Sequence, residues 1–188
     1  MSAKKKKTIL RTIRLSEDID DLLEKDAVEQ NVSANALITK IMTRYVEWDR
    51  IIDKTSYVVI PSLLFRALIT GLGDQELEEI GKNAVVNAVK EFAMIEFGKA
   101  DFDTLLNALS LITKYDTGLI ASSPLSAENR VDSQYTITLR HDWGPKGSIL
   151  LKSFFESLSM NEFGKQPTIF ITDDVVTIKF PRLPKPHP

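Results

Sequence analysis

Cysteine is absent from the 188 residues. That single absence excludes a disulfide framework, an iron–sulfur centre, a thiolate zinc site and a cysteine nucleophile. Histidine is nearly absent as well. His141 and His187 are the only two, too few for a multi-histidine metal centre. Long apolar runs are missing: the longest unbroken one has four residues, as at 57–60, whereas a membrane helix needs roughly 20. The opening KKKKTILRTIRL does not form the apolar core of a signal peptide. A cytoplasmic protein without a membrane partner is therefore expected. What remains is ordinary in bulk. The chain is 43% hydrophobic and 27% charged, which excludes wholesale disorder, and its length allows one medium domain or two small ones.

The net charge of -2 conceals a segregation. Residues 1–15 carry Lys4, Lys5, Lys6, Lys7, Arg11 and Arg14 and no acid. Residues 16–30 carry Glu17, Asp18, Asp20, Asp21, Glu24, Asp26 and Glu29 against Lys25 alone. A basic arm beside an acidic helix gives a positive edge that can face phosphates.

Pattern divides the chain into a basic arm (1–7), a strand–helix–helix unit (8–50), an α+β domain (51–180) and a Pro-rich tail (181–188). In 8–15, Ile9, Arg11, Ile13 and Leu15 alternate with Thr8, Leu10, Thr12 and Arg14, which suits a strand. Ser16 offers a cap to a first helix with Ile19, Leu22, Leu23 and Ala27 at helical spacing. Asn31 closes it, and Ser33 caps a second helix with Leu37, Ile38, Ile41, Met42, Tyr45 and Val46 on one stripe. The remainder predicts a strand at 57–60 and a helix after Pro61. Helices capped by Asp74 and Asp101 follow. After the loop 122–133 come a strand at 134–140, a turn at HDWGPKGS ending in a capping Ser148, and a helix over 149–160. A hairpin turning at Asp173 and Asp174 closes the domain.

The unit 8–50 poses a physical problem. Its strand has no partner within the unit, and an unpaired strand leaves backbone donors and acceptors unsatisfied. A unit of this size also buries too little surface to fold alone. Two copies that pair their strands antiparallel and interlock four helices solve both difficulties. An obligate homodimer is expected on that ground.

The stretch TILRTIRLSEDIDDLLEKDAVEQNVSANALITKIMTRYVEW resembles the ribbon-helix-helix family, the Arc, MetJ and CopG type of DNA-binding regulator. The strand RTIRL, the Ser16 helix start, the NVSANAL turn and the spacing between them carry the resemblance. It implies a dimeric ribbon in the major groove of double-stranded DNA, with Leu10, Thr12 and Arg14 turned towards the base edges. Arg14 would pair with guanine O6 and N7, and Thr12 would bond or touch a thymine methyl. Leu10 departs from the polar residue often found there and would make only an apolar contact. Arg11, on the inward phase, would reach a phosphate by its long stem. The resemblance also implies a phosphate site at the free amides of Ser33, Ala34 and Asn35. Lys4, Lys5, Lys6 and Lys7 would track the backbone, adding affinity without specificity.

Other features read as structural. His141 in LRHDWG adjoins Asp142, but neighbours on a strand point to opposite faces, and no nucleophile motif accompanies them. GPKGS has the wrong spacing for a phosphate loop. Glu76, Glu78 and Glu79 read as a solvated helix face, and Phe154, Phe155, Phe163 and Phe170 as core. No catalytic residue, metal or cofactor is expected. The fold expected is α+β: a ribbon-helix-helix unit followed by a separate α+β domain. The function expected is a transcriptional regulator, a repressor in the leading reading, whose second domain binds a small-molecule or protein effector or joins dimers into tetramers. The alternative is an antitoxin or plasmid-partition protein whose C-terminal part holds a protein partner.

Overall fold

A computed structural model describes residues 9–55, 57–115, 119–121 and 135–180. Lys4, Lys5, Lys6 and Lys7, the loop 122–133 and the tail 181–188 lie outside the described residues. The chain divides into two units, 1–45 and 46–188.

In the first unit, α1 (Glu17–Glu29) and α2 (Ala34–Arg44) form a helical hairpin. Ser16 stands at the N-cap of α1 but makes no cap bond with its side chain. Its hydroxyl binds the Asp18 carboxylate instead and holds that group below its ordinary pKa. Asn31 takes the left-handed conformation (φ 54°), which Asn tolerates better than most residues. There the Asn31 amide donates to the Val28 carbonyl (3.1 Å) and the Val32 amide to the Ala27 carbonyl (3.0 Å). These two bonds are the Schellman closure of a helix C-terminus. Lys40 Nζ then bridges to Gln30 Oε1 at 3.1 Å. Residues 9–16 carry no regular secondary structure, so the described part (9–15) of the strand expected at 8–15 is not formed in the single chain. A strand requires a ladder partner, and one copy supplies none.

The second unit is α+β. It begins with a π-helical turn (Tyr45–Asp49, its first residue still in the first unit), followed by α3 (Arg50–Ile52). Further on are α4 (Ser62–Thr70), α5 (Asp74–Ile80), a second π turn (Gly81–Val85), α6 (Val86–Phe97) and α7 (Phe102–Tyr115). Strands β1 (Leu119–Ala121) and β2 (Thr136–His141) precede the long α8 (Gly144–Phe163), and β3 (Thr168–Ile171) and β4 (Val175–Lys179) close the unit. The sheet is antiparallel throughout, in the order β1-β2-β4-β3. Ile137 lies opposite Ile178, and Leu139 opposite Val176. These four side chains are fully buried on the face that α7 and α8 cover. The alternate face carries Thr136, Arg140 and the Thr138–Thr177 hydroxyl pair at 3.2 Å. At one end, Phe102, Tyr135, Phe155, Phe163 and Phe180 meet largely edge to face.

Several local expectations are corrected. Segment 57–60 has no ladder partner among the described residues, and Val58 and Val59 are exposed. The N-cap before α5 is Gly73, not Asp74: the Gly73 amide donates to Glu76 Oε2 at 2.7 Å, leaving Asp74 inside the first turn. Ser148 does not cap α8, which already begins at Gly144 and accepts Pro145 in its first turn. Phe170 is exposed on edge strand β3 beneath Lys179 Nζ, 5.5 Å from its ring centre, rather than in the core. The Asp101 cap is as expected, with the Thr104 amide donating to Asp101 Oδ1 at 3.0 Å.

Two close approaches shape this unit. A side chain at Gly81 would lie 2.3 Å from Ser153 Oγ and 2.5 Å from the Leu150 carbonyl oxygen, so only glycine fits against α8. At Gly147 an added Cβ would meet Trp143 Cβ at 2.5 Å.

Candidate functional site

Segment 9–16 is exposed along its whole length. Leu10 is 94% exposed. Thr12, Arg11 and Arg14 are also exposed, and among the described residues neither arginine has an ion-pair partner. Among the described residues nothing holds these cationic side chains by an ion pair. Ile13 (51%) and Leu15 (39%), which share the inward phase of the alternation with Arg11, are exposed too.

The start of α2 is built as expected. Ser33 Oγ accepts from the Ala36 amide at 3.2 Å, and the Ser33 carbonyl from the Leu37 amide at 3.0 Å. Helix geometry gives the amides of Ala34 and Asn35 no intrahelical acceptor. They therefore point out of the positive end of α2. Ser33 and Asn35 are exposed, and Ala34 is half-buried. Among the described residues of this unit only Ala27 and Leu37 are buried, while Ile19, Leu22, Ile41 and Met42 keep between 46% and 62% of their surface in solvent. The apolar stripes written into both helices are thus largely uncovered in one copy.

In the second unit, His141 and Ser148 form a buried pair with Nε2 and Oγ 3.0 Å apart. It has the outline of a base beside a nucleophile, but the hydrogen bonds fix another role. Ser148 Oγ donates its proton to the Thr172 carbonyl at 2.5 Å, so it accepts from His141 Nε2–H. His141 Nδ1 accepts the Trp143 amide at 3.3 Å. Both ring nitrogens are used by a neutral imidazole, and burial lowers its pKa. The group braces the end of β2, the start of α8 and the β3–β4 turn. Asp142 points elsewhere and accepts from Ser62 Oγ at 2.8 Å. Lys146 is likewise engaged: its Nζ donates to the Leu72 carbonyl (2.9 Å) and to Asp74 Oδ1 (2.5 Å). GPKGS is therefore the anchored first turn of a helix. Glu78 pairs with Lys82 at 3.1 Å, and no cluster of three metal-ligating acids and histidines occurs among the described residues.

A cavity of about 340 Å³ lies within the second unit, between the sheet and its helices. Residue patterns did not suggest it, because its walls come from α4, α6, α7, α8 and β2, distant in sequence. No described helix is long and apolar enough to cross a membrane. Comparison of the chain with family models, with curated proteins and with solved structures gave no match.

Proposed function

We propose that this chain is a sequence-specific DNA-binding transcriptional regulator, of repressor type, that acts in the cytoplasm on the nucleoid as a homodimer. One observation carries the reading: an exposed, basic, unpaired segment runs directly into a helical hairpin whose apolar stripes are uncovered. A second copy supplies what both lack. Pairing of two 8–15 segments would satisfy their backbone groups, and crossing of four helices would cover Leu22, Ile41 and Met42. Each ribbon strand would then present Leu10, Thr12 and Arg14 on its outer face, a register that places three side chains per strand in a major groove. The free amides at the start of α2, one set per copy, would hold phosphates on either side of the ribbon. The acidic first turn of α1 would face away, since phosphate would repel it.

Selection of bound sites from a random double-stranded DNA pool tests the reading. A dimeric reader returns an inverted-repeat consensus whose half-sites share one spacing. Recovery of unpatterned sequences, or of none, would overturn it.

A further inference from the structure

We propose that the cavity of the second unit is a binding site for a neutral, predominantly hydrocarbon ligand about the size of two fused rings. Among the described residues fifteen side chains line the cavity, and each is aliphatic or aromatic. Leu109, Leu139, Phe154 and Phe155, all buried, form its floor. Tyr57, Phe65, Ala84 and Ala88, which keep contact with solvent, stand at its mouth. The phenol of Tyr57 and the indole of Trp143 are the polar groups carried by its lining side chains. Among the described residues no acid, lysine or arginine lines it, so an ionised ligand would lose hydration against these walls without compensation.

Size and wall chemistry select the ligand class. An apolar cavity of ~150 Å³ is large enough to stay dry and hold benzene. A volume of about 340 Å³ has room for roughly two such rings, and it falls at the small end of the range for ligand pockets. Protein interiors otherwise keep few voids larger than a water molecule. Water resting against the described walls would find carbon there and polar partners only towards the mouth, and an unfilled wall forfeits dispersion contacts. Occupancy by a matching apolar molecule removes both penalties. As a ligand site the cavity stands on the second unit alone; as the effector site of a regulator it also rests on the function proposed above.

The test uses the full chain without DNA, with naphthalene as probe and 2-naphthoate as its charged counterpart. Naphthalene should raise the unfolding midpoint in a saturable, concentration-dependent way, as any ligand of the native state does. The naphthoate should not, because its carboxylate finds no partner. Ala88→Phe, which places a ring into the mouth from a half-buried position, should fold with an unchanged or higher midpoint and lose the naphthalene response. Ala84→Phe, at an exposed position on the same rim, provides a second blocked variant should the first fail to fold. No response in the wild-type chain overturns the proposal, as does an equal response to the naphthoate or an undiminished response in a folded blocked variant. A DNA titration with and without naphthalene then separates the two questions. Naphthalene binding without DNA binding leaves the ligand site standing and removes the regulator; DNA binding without naphthalene binding does the reverse.

Discussion

His141 Nε2–H donates a hydrogen bond to Ser148 Oγ across 3.0 Å, and the Ser148 hydroxyl donates one to the Thr172 carbonyl. The imidazole in this chain must be neutral, because Nδ1 already faces the Trp143 amide as an acceptor. Burial pushes its pKa below the ordinary 6.5, against the opposing pull of Asp174 and Asp142. The unfolded chain takes up a proton near 6.5 while the folded one resists, so the unfolded state binds more protons in that window. Stability from this group is complete above pH 6.5 and drains away as the pH falls towards the folded-state pKa. Urea unfolding between pH 5 and 8 should show this decline, and His141→Gln, which does not titrate, should flatten it. Ser148→Ala should cost ~1–3 kcal/mol by leaving a buried N–H unsatisfied.

Gly81 admits no side chain. Its missing Cβ would lie 2.5 Å from the Leu150 carbonyl oxygen, a backbone atom of α8. Gly81→Ala should therefore destabilise by ~1–3 kcal/mol, the usual cost of overpacking, despite the better helix propensity of alanine. Adding Ser153→Ala should recover only part of the loss, because it removes the hydroxyl contact at 2.3 Å but leaves the carbonyl. Urea midpoints of the single and double variants measure this.

Leu22 is 62% exposed in the single copy. If copies pair as proposed, Leu22→Asp buries a carboxylate in the new interface and should shift the chain to monomer in sedimentation at micromolar concentration. The far-ultraviolet signal of the second unit should persist. Unchanged assembly would place the interface elsewhere.

In the proposed dimer Arg14 would be the side chain that reads guanine. Arg14→Ala should cost ~1–3 kcal/mol of specific binding and relax the preference at one position in each half-site. A competition titration between the selected site and random DNA reads both, and unchanged discrimination would remove Arg14 from the reading face.

Lys4, Lys5, Lys6 and Lys7 should act without regard to sequence. Deleting residues 4–7 should weaken binding to all DNA alike and flatten the plot of log affinity against log salt, since fewer counterions are released. A slope equal to that of the intact chain would leave the arm without a phosphate role.

What could be read in advance was local. Ser33, Asn31, Asp101 and the Asp173–Asp174 turn announce their roles because caps and turns depend on a few adjacent residues. The alternation of Ile137 and Leu139 with Thr138 and Arg140 likewise maps onto one buried and one open sheet face. Gly144 and Gly147 misled as breakers. Gly147 sits inside α8 because Trp143 and His141 press against it, a contact no sequence window contains. The cavity was hidden for the same reason: Tyr57, Leu109, Leu139 and Phe154 meet only after folding. The strand at 8–15 was legible as an alternating pattern, but pattern alone supplies no second strand.

The π turn at Gly81–Val85 carries one residue more than an α-helical turn would. At about 100° per residue, this surplus swings the downstream stripe around the axis relative to the upstream one. One continuous helical run can then offer Leu77 to α8 and Val89 and Phe92 to the core beside α7. Length is therefore less negotiable in this stretch than identity. Dropping a single residue would rotate the downstream stripe by about 100° and leave half of this helical run facing the wrong neighbour.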